Sequence, residues 1–325
     1  MNYSNKIYIP RMGSGRFGNK ILNILNLSLK AYSEQSMVLI PSITPSDESY
    51  VLDFRNNDKQ LISDKNKVLL DTRIRKSIEP GFKLGHSYYF RKNNFQFPIK
   101  RSIAENLIQA YKLQQYNTND NDLYIHIRST DIHAQNSNSI YSQPPISFYL
   151  KIIDDFGYKN IRLVSDNNNN FIVREIKNIF GSNCTIIDEP DTRKAFDILR
   201  NCKNLCVSTS SFCTMAVFLT PYGINKNIYA YNYITNIYHH WFLSNLFGDD
   251  HIYNNTIPNF TFRIYNIKKY KYMDHCNLHS NKYTDLSDKN WWKNGNINFQ
   301  HNWSFTNYTK NILINHSINN IEQIC

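Results

Sequence analysis

Leu123-Tyr124-Ile125-His126-Ile127-Arg128-Ser129-Thr130-Asp131 opens as an apolar run of strand character and stops abruptly on a histidine, an arginine and an aspartate. In open α/β sheets, ligands sit in the crevice beyond the carboxyl ends of the strands. An arginine at that place suits phosphate, because its permanently charged planar fork can donate two parallel hydrogen bonds. The same residues allow a plainer reading, an Arg128–Asp131 ion pair that ties a loop to the sheet.

Downstream of this stretch the pattern is regular. A loop with Pro144-Pro145 leads to a helix over 146–156, then strand 161–164, helix 171–180, strand 185–187, helix 192–201 and strand 205–207. A helix over 211–219 and a strand over 228–230 complete the series. Alternation of β and α at this spacing predicts a parallel, doubly wound sheet. Three of its strand ends carry polar groups: His126/Arg128/Asp131, Ser165-Asp166-Asn167 and Ser208-Thr209-Ser210-Ser211. Polar groups converging on one edge of such a sheet describe a nucleotide site.

Upstream, Lys6-Ile7-Tyr8-Ile9-Pro10 reads as a first strand. The Gly-rich stretch Met12 to Lys20 follows, then a helix marked by Ile21, Leu22, Ile24, Leu25, Leu27 and Leu29. Strand, Gly-rich turn and helix open a Rossmann-like unit, in which glycines admit a ligand close to the backbone and the helix N-terminus offers free N–H groups. Gly13, Gly15 and Gly18 fit G-x-G-x-x-G spacing, without an acidic residue after a second strand; a tight turn with close helix packing explains them equally well. Met37–Ile40 and Val68-Leu69-Leu70 read as further strands, with residues 42–66 a polar loop between them. Residues 85–98, with Tyr88, Tyr89, Phe90, Phe95 and Phe97, read as core with solvated charges, or else as a stacking wall for a sugar or nucleic acid. A helix spans 99–116. The polar run Asn117 to Asp122 is a solvated linker, and its Asp120-Asn121-Asp122 precedes a strand, the wrong place for carboxylates that hold a metal on a diphosphate. Beyond 245 the chain is polar, basic and aromatic without periodicity, an appendage or small accessory domain.

The totals bound the function. With 325 residues, 41% hydrophobic and 14% aromatic, the chain can bury a full core and has room for two domains. A formal net charge of +11 favours an anionic partner. Asn makes up about one residue in seven, a bias of composition rather than chemistry. The six cysteines (Cys184, Cys202, Cys206, Cys213, Cys276 and Cys325) contain no C-x-x-C pair, which argues against a disulfide framework or zinc site and for a reducing compartment. Residues 1–11 lack the apolar length of a signal peptide, and no run approaches the roughly 20 apolar residues of a membrane span. The expectation is a cytoplasmic protein. No G-x-S-x-G elbow or G-x-x-x-x-G-K-[ST] loop is present, so hydrolase and P-loop readings fall away.

Gly15-Arg16-Phe17-Gly18-Asn19, His126-Ile127-Arg128-Ser129-Thr130-Asp131, Val164-Ser165-Asp166-Asn167 and Ser208-Thr209-Ser210-Ser211-Phe212 with Ala216 and Leu219 resemble, in order, four motifs of the fucosyltransferase superfamily, most closely the α-1,2-fucosyltransferases. Tyr88-Tyr89-Phe90 is similar to a further aromatic segment of that family. The likeness covers residues 5–245. It departs from the family at Lys20, Ser129, Asn167 and Thr214-Met215, where the family has Gln, Arg, Asp and paired Trp. The resemblance implies an α/β fold of GT-B type, two Rossmann-like halves facing a cleft. Residues 1–117 would form the acceptor side, 118–245 the nucleotide-sugar side and 246–325 the C-terminal appendage. It implies an inverting, metal-independent transfer of fucose from GDP-fucose to a hydroxyl of a glycan acceptor, with no cofactor beyond that donor.

In such a transfer, negative charge builds on the departing β-phosphate, so a positioned cation is the largest available help. Arg128 fits that role. Ser210 and Ser211, at a strand end before a helix, can donate hydroxyl and backbone N–H bonds to phosphate, with Phe212 beside them. In the family's pattern His126 and Asp166, followed by Asn167, hold the guanine or ribose. Arg16 and Asn19 face the reacting centre from the N-terminal half, or else stabilise their own loop. Asp131 is a candidate general base, or else pairs with Arg128 or a backbone amide. Two competing readings are a nucleic-acid-binding protein, suggested by the charge and the basic aromatic tail, and a non-catalytic nucleotide-sugar-binding relative. The aligned strand ends speak against the first.

Overall fold

The computed structural model describes residues 6–10, 17–42, 49–55, 60–62, 75–79, 96–128, 143–168, 170–189, 191–233, 241–268 and 314–324. They form a mixed α/β structure with two largely parallel sheets. In the first sheet, β1 (Lys6–Pro10) leads into α1 (Phe17–Ser33) and β2 (Met37–Ile40); β3 (Tyr50–Asp53), β4 (Gln60–Ile62) and β5 (Arg75–Glu79) follow. The order is β4-β3-β2-β1-β5, with β1 parallel to both β2 and β5 and with β3 and β4 antiparallel. The polar loop expected over 42–66 thus contains two strands. Tyr50-Val51-Leu52 are buried against β2, and three apolar residues suffice because a strand of this length needs no periodic signature. The strand expected at Val68–Leu70 and most of the aromatic stretch over 85–98 lie outside the described residues.

α2 (Phe97–Ala110) ends earlier than the periodicity suggests, because Lys112 takes a left-handed φ of 47°. The chain then crosses to the second sheet. Here β6 (Leu123–Ile127), α3 (Ile146–Phe156), β7 (Ile161–Ser165), α4 (Phe171–Phe180), β8 (Cys184–Ile187), α5 (Thr192–Asn201), β9 (Asn204–Cys206), α6 (Ser211–Phe218) and β10 (Lys226–Tyr233) follow the predicted alternation. Asn170 and Asp191 cap α4 and α5 through side-chain oxygens that accept from the first free N–H groups. α7 (Trp241–Phe247), α8 (Asp249–Tyr253), β11 (Phe260–Ile267) and β12 (Ile321–Gln323) complete the described elements.

The second sheet runs β12-β11-β10-β9-β6-β7-β8, parallel except for β12. Ranked by chain position, β6 to β11 stand in the order 3-2-1-4-5-6, that of dinucleotide-binding folds, whose strand order reverses between the first and fourth strands. Residues 246–325 were expected to form an appendage, yet β11 and β12 belong to this sheet. Phe260, Phe262 and Ile264 alternate with half-buried Thr261 and Arg263, a period of two that the surrounding Asn and Lys obscure. Asp122 also departs from its reading as solvated linker. It is fully buried and accepts a hydrogen bond from Arg162 Nε of β7 at 2.7 Å, while Asp120 stays exposed.

One large core joins α1 and α2 to α5, α6 and β10, so the two sheets share their packing. Cations tie the helix C-termini at the edge where the strands begin. Buried Lys226 donates to the carbonyls of Leu199 (2.9 Å), Arg200 (3.1 Å) and Cys202 at the end of α5. Arg101 donates to Phe218 and Thr220 at the end of α6, and Lys100 to Leu246 of α7 at 3.2 Å. These contacts answer both the orphan carbonyls and the negative end of each helix dipole. No helix among the described residues is long and apolar enough to cross a membrane.

Burial lowers the Lys100 ammonium from its ordinary 10.5 to about 8. Between those values the unfolded chain holds a proton that the native one has lost, so this group's contribution makes stability rise as pH increases. Wild type should therefore gain, relative to Lys100→Met, at most about 3 kcal/mol between pH 8 and pH 10.5. Urea unfolding of both proteins across that range measures the difference. Lys226→Met should cost on the order of 2 kcal/mol or more at pH 7 in the same assay, through buried carbonyls left without a donor.

Candidate functional site at the sheet's reversal point

β6 and β9 lie side by side where the strand order reverses. Both lead into polar residues, Arg128 after β6 and Ser208 to Ser211 after β9. Near the carboxyl end of β6, the His126 ring is buried and its Nδ1 shares a 2.6 Å hydrogen bond with Ser208 Oγ, while Arg128 follows the strand. Half-buried Arg128 donates from Nη1 to the Thr209 carbonyl at 3.0 Å. Thr209 Oγ1 in turn meets the Tyr231 hydroxyl at 3.0 Å. Consecutive residues after β9 thus orient both the histidine and the arginine.

After β9 the chain turns sharply into α6. Ser210 is extended (φ −148°, ψ 129°) and caps the helix, its Oγ accepting from the Phe212 N–H at 3.2 Å. Neither α6 nor α1 has an acidic residue in its first turn. The two N-termini meet. A Cβ on Gly18 would lie 2.3 Å from Phe212 Cα and 2.4 Å from its N, so only glycine lets these helices approach so closely. The Ser211 hydroxyl donates to Asn19 Oδ1 across the same contact. Phe17 and Phe212 pack edge-on around Phe196, at 5.0 and 5.3 Å between centroids, and Phe212 also faces the His126 ring at 5.7 Å.

The structure therefore brings together His126, Arg128, Ser210, Ser211, Phe212 and Asn19 from stretches up to 192 residues apart. Two positive helix ends and one guanidinium converge here, an arrangement that attracts an anion. The parts differ in what they have left to offer. Ser211 has committed its hydroxyl proton to Asn19, and the Phe212 N–H serves the cap. The Ser210 hydroxyl has accepted a bond but retains its own proton to donate. Asp166 and Asn167 follow β7, which pairs Ser165 with Ile127, so they stand on the same edge as Arg128. Asp166 is exposed, whereas Asn167 donates its N–H to Ser165 Oγ at 3.2 Å within its own turn. Arg16 and Asp131 lie outside the described residues.

Sequence reasoning passed over Ser208, Thr209 and Tyr231 as site residues. The first two adjoin the chosen serines and were visible as part of the polar strand end. Tyr231 lies just past the predicted end of its strand, and its period-two spacing from Tyr229 was the signal. The four described cysteines are free and buried, and burial pushes the thiols of Cys184, Cys202, Cys206 and Cys213 up, away from nucleophile or metal-ligand chemistry.

The fold and this edge define an α/β protein with the strand order of the dinucleotide-binding class. No protein-family model and no curated protein matches the chain. Among solved structures, POFUT1 in complex with GDP is similar at a TM-score of 0.36 and 10% identity, over 67% of this chain and 95% of that one. POFUT1 in complex with GDP-fucose is similar at 0.35 and 10%, over 67% and 94%. At that depth the reading of the site rests on its own geometry.

Gly18→Ala forces a methyl group into the Phe212 backbone, and overpacking of this kind costs about 1–3 kcal/mol. Chemical denaturation should show that loss. A Gly18→Ala protein as stable as wild type would mean that the helices do not approach as closely as described.

Proposed function

We propose that this chain is a glycosyltransferase that transfers fucose from GDP-fucose to a hydroxyl of a glycan acceptor, with inversion and without a metal. The observation that carries the reading is the convergence of Arg128 with the N-termini of α1 and α6 at the reversal point of a 3-2-1-4-5-6 sheet. The order of the four family-like motifs along the sequence supports it independently of the geometry.

The acceptor oxygen attacks the anomeric carbon as the bond from that carbon to the β-phosphate oxygen breaks, and the transition state is oxocarbenium-like. The electron pair leaves with the diphosphate. Arg128 and the two helix ends stabilise that growing charge, and they need no reorganisation because the protein already holds them in place. Arginine stays charged at any working pH, so no proton step is required of it. Asp166 stands after the second strand in rank, where an acidic side chain accepts hydrogen bonds from ribose hydroxyls in folds of this order. Ser208 engages His126 at Nδ1 and fixes the ring at the edge where the nucleoside would lie. In this reading residues 1–117 carry the acceptor side, with Arg16 and Asn19 nearest the transferred sugar, and residues 118–245 carry the donor side. Asp131 lies three residues beyond Arg128 as the base for the acceptor hydroxyl or as the arginine's partner.

A thermal-shift panel of GDP, GDP-fucose, GDP-mannose and UDP-sugars, with and without EDTA, tests the assignment. GDP compounds should stabilise the protein whether or not EDTA is present. Stabilisation by UDP compounds alone removes the fucose assignment, and loss of the shift in EDTA removes the metal-free mechanism. Arg128→Ala should stay folded and lose donor turnover by about 100-fold or more. A protein whose task is to bind polynucleotide would instead bind it in a salt-sensitive manner, indifferent to that substitution.

A further inference from the structure

We propose that Tyr231 is a positioning residue that aims Arg128 at its anionic ligand, acting through Thr209; the proposal rests on the phosphate-binding reading of Arg128. Tyr231 is near the carboxyl end of β10, next to β9, and is buried, with 3% of its surface exposed. Its ring is held edge-on by Phe148 at 5.2 Å, so the hydroxyl has one direction in which to act. That hydroxyl meets Thr209 Oγ1 at 3.0 Å. The phenol therefore holds Thr209 by its side chain. The carbonyl of the same residue accepts from Arg128 Nη1 at 3.0 Å.

A long half-buried arginine has many rotamers, and a ligand that must select one of them binds more weakly. Fixing the carbonyl that receives one guanidinium N–H removes much of that freedom before the ligand arrives. Burial drives the phenol above its ordinary pKa, so it remains a neutral dipole, and it adds no negative charge beside a phosphate site. Thr209 follows Ser208, whose Oγ holds His126. The anchor of this short turn is thus the hydroxyl of Tyr231, from the next strand of the sheet.

The test compares wild type, Tyr231→Phe, Arg128→Ala and the double variant, with GDP as the probe in titration calorimetry. Tyr158→Phe serves as the control: it removes a half-buried hydroxyl bonded at 2.6 Å to Tyr229, a residue of the same strand as Tyr231. Tyr231→Phe should weaken GDP binding about three- to tenfold. The same change in the Arg128→Ala background should leave GDP affinity unaltered, since contacts that act as one unit are not additive. Tyr158→Phe should leave it unaltered in either background. A ligand-free readout accompanies these: in spectra of nitrogen-15-labelled protein, the Arg128 guanidinium protons should exchange faster in Tyr231→Phe and not in Tyr158→Phe. An unchanged guanidinium, or an equal loss of GDP affinity with and without Arg128, overturns the proposal. If wild type binds no GDP at all, the transferase reading falls instead, and the guanidinium exchange still decides whether Tyr231 holds Arg128.

Discussion

The contact between Gly18 and the backbone of Phe212 sets the geometry of the site. α1 follows β1 of the first sheet, and α6 follows β9 of the second. With any side chain at position 18 the two helices would stand further apart, and the Ser211–Asn19 hydrogen bond and the Phe17–Phe196–Phe212 cluster would be disturbed with them. A missing Cβ, worth little in most helices, here determines whether two helix N-termini reach one point.

That convergence carries an electrostatic cost. Two positive helix ends side by side repel each other, and Arg128 adds a full charge nearby. The fold offsets it through packing between α1 and α6, and the opposite edge carries the complementary arrangement. There Lys100, Arg101, Arg200 and Lys226 reach the carbonyls at the C-termini of α5, α6 and α7. Buried cations thus meet the C-termini of α5, α6 and α7, while α1 and α6 carry no acidic residue in their first turns. An anionic ligand at the reversal point would relieve the remaining repulsion.

The strands and helices of the second sheet were legible because each burial face has a simple period and each boundary a recognisable signal, such as Asn170 and Asp191 as caps or Pro144-Pro145 before α3. Arg128 and the serines after β9 were legible as strand-end polar groups. Short elements were not: Tyr50–Asp53 and Gln60–Ile62 are too brief for a pattern, and Phe260–Ile267 sits in a polar context that hides its alternation. Asp122 misled for a related reason. Its neighbours are those of a solvated linker, and only Arg162 on the adjacent strand makes its burial tolerable.

By itself the sequence determined the βα alternation and which residues stand at strand ends, since both follow from local periodicity and turn chemistry. It could not determine which strand ends become neighbours. The 3-2-1-4-5-6 order, the meeting of Gly18 with Phe212, and the chain of contacts from Tyr231 through Thr209 to Arg128 depend on packing between residues far apart in the chain. Such contacts leave no local pattern, because each partner's own surroundings would be satisfied equally well without the other.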